Sequence, residues 1–139
     1  MNRKICAVTA IGAWLFISTA AEARPVIILV KVSGSLQTMA NVSKVRGIYR
    51  GSSGSDLVRG KVNATSLGTG PIGKYKSTLK SDVRSSAGVA NYVEKGAAKI
   101  SRRSIKLPFG TFKLSKPINP SKRGRQKISG RGMALVEVP

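Results

Sequence analysis

The chain has 139 residues, with 25 Lys+Arg against 5 Asp+Glu, no histidine and one cysteine, for a net charge of +20. Imidazole and thiolate metal sites and the usual general acid–base groups are therefore missing, and the composition points to a protein that is not an enzyme and carries no cofactor or metal. Such a charge directs attention to anionic partners.

The chain opens with Met1-Asn2-Arg3-Lys4, an apolar run over Ile5–Ile17, and Ser18–Ala23 ending in Ala-Glu-Ala. That is the pattern of a secretory signal peptide over residues 1–23, with cleavage after Ala23. The apolar run is shorter than the about 20 residues a membrane span needs. A periplasmic or secreted protein is expected. Removing Met1–Ala23 takes Arg3, Lys4 and Glu22 with it and leaves 116 residues, 23 basic and 4 acidic, at +19. Residues 24–139 are expected to form one small domain. Cys6 leaves with the leader, so no disulfide is available.

Val26–Val32 is β-branched and apolar apart from Lys31, and predicts a strand covered on both faces. Ser33-Gly34-Ser35 reads as a turn. Asn41 is a candidate N-cap, and Val42, Val45, Ile48 and Tyr49 then share one helical face ending at Gly51. Ser52–Lys80 reads as loop with a short strand at Lys61–Thr65. Ser81–Ile100 predicts the longest helix, because Val83, Ala87, Ala90, Val93, Ala97 and Ile100 recur at intervals of three and four. Ser104–Leu114 predicts two short strands, and Met133–Val138 a last one. Between them, Lys116–Arg131 is rich in Pro, Gly, Ser and base, and reads as a mobile segment. The predicted fold class is α/β, a small mixed sheet flanked by helices.

A strand feeding a Ser/Gly loop and a helix is where α/β proteins bind anions, because backbone N–H groups and the helix dipole converge there. Gly68–Lys74 has the G-x-x-x-x-G-K spacing of a phosphate-binding loop, but Tyr75 stands where a Ser or Thr would hold Mg²⁺. Ser77-Thr78-Leu79-Lys80 matches a Ser-x-x-Lys pair by spacing alone. The aromatics of the mature chain are Tyr49, Tyr75, Tyr92, Phe109 and Phe112, too few for base-stacking platforms, so nucleic acid is an unlikely partner.

Val26–Val30, Ser33-Gly34-Ser35 and the run Val42–Gly51, with its Ile48-Tyr49-Arg50-Gly51 ending, resemble the start of the small periplasmic phosphate ABC-transporter substrate-binding (PstS-like) proteins. There an apolar strand, a Ser loop and a short helix ending Ile-Phe-x-Gly follow the signal peptide. The resemblance implies non-catalytic binding of an inorganic oxyanion, phosphate, and an ABC transporter as partner. The ligand residues would be Ser33, Gly34 and Ser35, joined by Arg84, Ser85 and Ser86. A rival expectation is a cationic envelope-binding protein that uses Arg102, Arg103 and the Lys116–Arg131 segment against anionic lipid or polysaccharide.

Overall fold

The computed structural model describes residues 23–139. The expected leader, Ala23 apart, lies outside the described residues. Eight strands follow in order: β1 Arg24–Thr38, β2 Ser43–Ser53, β3 Asp56–Ser66, β4 Gly73–Ser85, β5 Gly88–Ile100, β6 Ser104–Leu107, β7 Gly110–Leu114 and β8 Gly124–Val138. Each pairs antiparallel with the next, and β1 pairs with β8 from Arg24↔Val138 to Thr38↔Gly124, which closes the barrel. The expected α/β sheet flanked by helices is thus overturned: the described residues form an all-β barrel with no helix.

The physical reason is a period of two hidden behind glycines. In β2 the inward positions read Ser43, Val45, Gly47, Tyr49 and Gly51, while Lys44, Arg46, Ile48 and Arg50 face out. Two glycines remove the apolar side chains that would have marked the inner face, and the remaining Val and Ile mimic a helical stripe. The predicted helix at Ser81–Ile100 is instead the end of β4, a tight turn and β5. Gly88, at φ 147°, starts β5 in a conformation that L-residues avoid. The strands expected at Val26–Val32, Lys61–Thr65, Ser104–Leu114 and Met133–Val138 are present, as parts of β1, β3, β6 with β7, and β8. Only one face of β1 is covered, however: Ile27 and Leu29 are 64% and 47% exposed. Half of the basic stretch Lys116–Arg131 is strand, since β8 starts at Gly124.

The barrel is filled by its own side chains. Tyr49, Tyr75, Phe112, Ile28, Leu36, Leu79 and Ile100 are the largest fully buried residues, joined by valines from β1, β3, β4 and β8. Burying a side chain of this size contributes about 1.5–3 kcal/mol. Ile118, from the β7–β8 connection, is also buried in this core. The void lined by Val32, Val45, Val62, Tyr75 and Ile105 measures about 10 Å³, no more than one water occupies. This interior has no room for a small-molecule ligand.

One glycine holds a specific place in that packing. Gly60 on β3 lies between Tyr49 on β2 and Ser81 on β4 in a single cross-strand row. The Tyr49 ring crosses the space a side chain at Gly60 would fill, and its hydroxyl shares a hydrogen bond with the Ser81 hydroxyl. Phe109 packs edge-on against Tyr49 at 4.9 Å and against Phe112 at 5.6 Å. An aromatic covering a strand glycine restores the contact area that glycine lacks.

All three tyrosines of the chain are raised. Burial pushes Tyr49 up to about 12, with Glu94 nearby adding to the shift and the Ser81 bond opposing it. Tyr75 and Tyr92 are raised as well, chiefly by burial, with Glu137 adding to the shift at Tyr92. Since the unfolded chain ionises its tyrosines near 10, the folded state holds protons there that the unfolded state releases. The stability that depends on neutral Tyr49 is therefore present below pH 10 and lost as pH rises toward 12. An ultraviolet titration should place the phenolate steps of the folded protein above the ordinary tyrosine pH, with Tyr49 furthest up. Tyr49→Phe should flatten the fall in melting temperature across that window. A full phenolate step near 10 with the fold intact would contradict the burial of these rings.

Candidate anion-binding face

Alternation in the strands sends apolar residues inward and most of the basic residues outward. Strand register then arranges the bases in rows. Lys113 on β7 lies opposite Arg131 on β8, Arg131 opposite Lys31 on β1, Lys31 opposite Arg50 on β2, and Arg50 opposite Arg59 on β3. All five side chains are exposed. The row ends at Asp82 on β4, whose carboxylate is 4.0 Å from Arg59. Directly opposed like charges destabilise a sheet, so a row of five is a cost to the free protein that counter-ions or an anionic partner offset. Elsewhere the rows are shorter: Lys61 faces Lys80, and Lys74, Lys99 and Lys106 face one another in turn. Among the described residues, Arg24 pairs with Asp56 at 2.8 Å and Arg59 with Asp82, and the other 21 of the 23 cations have no acidic partner within 4.0 Å.

Beside the row is a shallow, solvent-open depression of about 610 Å³ lined by Ser33, Gly34, Arg46, Gly47, Ile48, Lys61, Val62 and Asn63. It lies where Gly34 on β1 faces Gly47 on β2. A side chain at Gly34 would run into the Arg46 carbonyl, so the two strands come this close only with glycine there. Arg46 and Lys61 offer charge, and Ser33 and Asn63 offer neutral donors, suited to the oxygens of a phosphate, sulfate or carboxylate group.

The residues predicted as one oxyanion site are not brought together. Ser33, Gly34 and Ser35 do not form a turn; they run through the middle of β1, paired with β2 and β8. Arg84 is near the end of β4, opposite Leu57 and Val89, with β2 and β3 between it and β1. Ser85 donates to the Pro139 carbonyl oxygen and accepts from the Ala87 N–H, and exposed Ser86 follows it in the β4–β5 turn. A helix dipole cannot contribute, because there is no helix among the described residues. Gly68–Lys74 forms the β3–β4 connection and the first residues of β4, where the Pro71 carbonyl accepts the Tyr75 hydroxyl at 2.6 Å. It does not lead into the helix a phosphate-binding loop requires. No group of acids, cysteine or histidine among the described residues is arranged to hold a metal.

Of the basic residues singled out from the sequence, Arg102, Arg103, Lys116, Lys122 and Arg123 are exposed on the connections at one end of the barrel, whereas Arg125, Lys127 and Arg131 stand exposed on β8. Only Arg131 belongs to the five-membered row. Lys31, Arg50, Arg59 and Lys113 were missed, as were Arg46 and Lys61. A signal was available: Lys44 and Arg46, Arg59 and Lys61, and Lys74 and Lys76 each recur at a spacing of two, the period of one strand face.

The outward charge also bears on membranes. In a membrane-spanning barrel the outer face is apolar, and a Lys or Arg at mid-bilayer costs about 2–4 kcal/mol. Here the polarity is reversed, with the apolar face inside and cations on every long strand outside. No helix among the described residues is long and apolar enough to cross a membrane. Compared with family models, curated proteins and solved structures, the chain matches none.

Proposed function

We propose that this protein is a non-catalytic binder of polyanions, attaching through the outer face of its barrel to the anionic surface of a cell envelope. The observation that carries this is the unbroken row Lys113, Arg131, Lys31, Arg50 and Arg59 across five adjacent strands. Among the described residues the row is met by one carboxylate, at its end. The envelope as target rests on the expected signal peptide. The Ser33, Arg46, Lys61 and Asn63 depression would seat single anionic groups of the partner, phosphate among them. The filled interior supports a surface mode of binding over an enclosed one. Among the described residues the aromatic side chains all lie in the core or pack against it, which disfavours single-stranded nucleic acid as partner.

Binding of this type follows counter-ion release, so it weakens steeply with salt. Heparin and lipopolysaccharide are suitable probes. Both should bind saturably at low ionic strength, with the logarithm of affinity falling linearly with the logarithm of salt. Failure to bind either probe at low ionic strength would overturn the proposal. A salt-insensitive affinity would point to a neutral pocket and contradict it equally.

A further inference from the structure

An apolar surface left open among the described residues adjoins the cationic row. Ile27 and Leu29 on β1 face Leu135 and Met133 on β8 as direct cross-strand pairs. All four point outward, at 64%, 47%, 58% and 59% exposed. Directly opposed residues on one face have Cβ atoms about 5 Å apart, so the four form one patch. Two residues further along the same strands, the next outward pair is Lys31 and Arg131, flanked by Arg50 and Lys113. Successive residues on one strand face are about 7 Å apart. The apolar patch therefore gives way to a belt of four cations within a single step of the strand.

We infer that this is a lipid-docking surface, on which Ile27, Leu29, Met133 and Leu135 enter the acyl boundary of an anionic membrane while Lys31, Arg131, Arg50 and Lys113 engage lipid phosphates. The inference rests on the polyanion reading above and narrows its partner to lipid. Interfacial binders bury an apolar face about 5–10 Å deep beside basic residues at headgroup level, which is the spacing found here. A second copy of the chain is the weaker occupant, because residues 24–139 of each copy carry 23 basic and 4 acidic side chains and two such copies repel. Four side chains are also well short of the about 800 Å² per partner of a stable interface. A polysaccharide or a nucleic acid would satisfy the belt but offers nothing to exposed Ile, Leu and Met. Glu137, outward and opposite Pro25 on the far margin of the patch, is an acid beside it and opposes the attachment.

The test compares phosphatidylglycerol-containing vesicles, neutral phosphatidylcholine vesicles and heparin. The variant carries Ile27→Thr, Leu29→Thr, Met133→Thr and Leu135→Thr, which place strand-favouring β-branched residues at all four positions. Wild type should bind the anionic vesicles with a component that survives high salt, and should bind neutral vesicles far more weakly. The variant should lose at least tenfold on anionic vesicles and keep its heparin affinity within about twofold, the heparin result also showing that it is folded. Glu137→Gln should bind anionic vesicles more tightly than wild type. Unchanged vesicle binding by the fourfold variant overturns the lipid inference and leaves the polyanion reading standing. Loss of heparin and vesicle binding by wild type removes both. A wild-type dimer that the fourfold variant converts to monomer assigns the patch to self-association and overturns the inference.

Discussion

Replacing Lys31, Arg50 and Arg131 together with Gln is expected to lower heparin affinity about a hundredfold near 0.1 M salt. The three residues are consecutive members of the cationic row, on β1, β2 and β8. Each cation that neutralises an anionic group releases close to one counter-ion, so the slope of log affinity against log salt should become shallower by about two to three. All three are exposed on strand faces with no acidic partner among the described residues, so the fold should survive their loss. Relief of their mutual repulsion should raise the melting temperature slightly. The control is the triple Gln variant at Lys74, Lys99 and Lys106, which removes the same charge from a different row. It should weaken heparin only a few-fold, through net charge. Equal losses in the two variants would show that total charge, and not the five-membered row, governs binding.

Gly60→Ala is expected to be strongly damaging for so small a substitution, costing about 3 kcal/mol and lowering the melting temperature by roughly 10 °C. A Cβ at position 60 would run into the Lys80 carbonyl oxygen and come within 2.5 Å of the Tyr49 hydroxyl oxygen. Backbone cannot yield there without opening the β3–β4 pairing, so the Tyr49 ring must also move. That breaks the Tyr49–Ser81 hydrogen bond, itself worth about 1 kcal/mol, and disturbs the Phe109 contact. For a domain whose net stability is about 5–15 kcal/mol, this is a large fraction. Circular dichroism melts of wild type, Gly60→Ala, Tyr49→Ala and the double variant form the appropriate cycle. Because the two residues share one space, the double variant should be less damaged than the sum of the singles. Strict additivity, or a Gly60→Ala melt close to wild type, would mean that the ring does not depend on the glycine.

The comparison of sequence and structure turns on what side chains reveal about a strand. Val26–Val32 is a strand by composition, and Ile105, Leu107, Phe112 and Leu114 alternate openly. In β2 and β5 the same alternation is concealed, because Gly47, Gly51 and Gly96 take inward positions and show no hydropathy of their own. A glycine there is the mark of close backbone approach, as at Gly34, which only a neighbouring strand can reveal. Lys116–Arg131 looked mobile because its Pro and Gly are local breakers. Ile118, though, is buried in the barrel core, and Gly124–Arg131 finds a long-range partner in β1.

By itself the sequence determined the net charge, the absence of imidazole and of a thiol after residue 23, and the local alternation of several strands. These are sums over residues or patterns within a few of them. Barrel closure and the cationic row were decided only by the tertiary structure. Arg24 meets Val138, and Lys31 meets both Arg131 and Arg50, across separations of about a hundred residues in two of those three pairs. Register between such distant strands is set by which inward side chains pack together. A shift of one residue would turn Lys31 of β1 toward the core, and that burial cost fixes the row on the outer face.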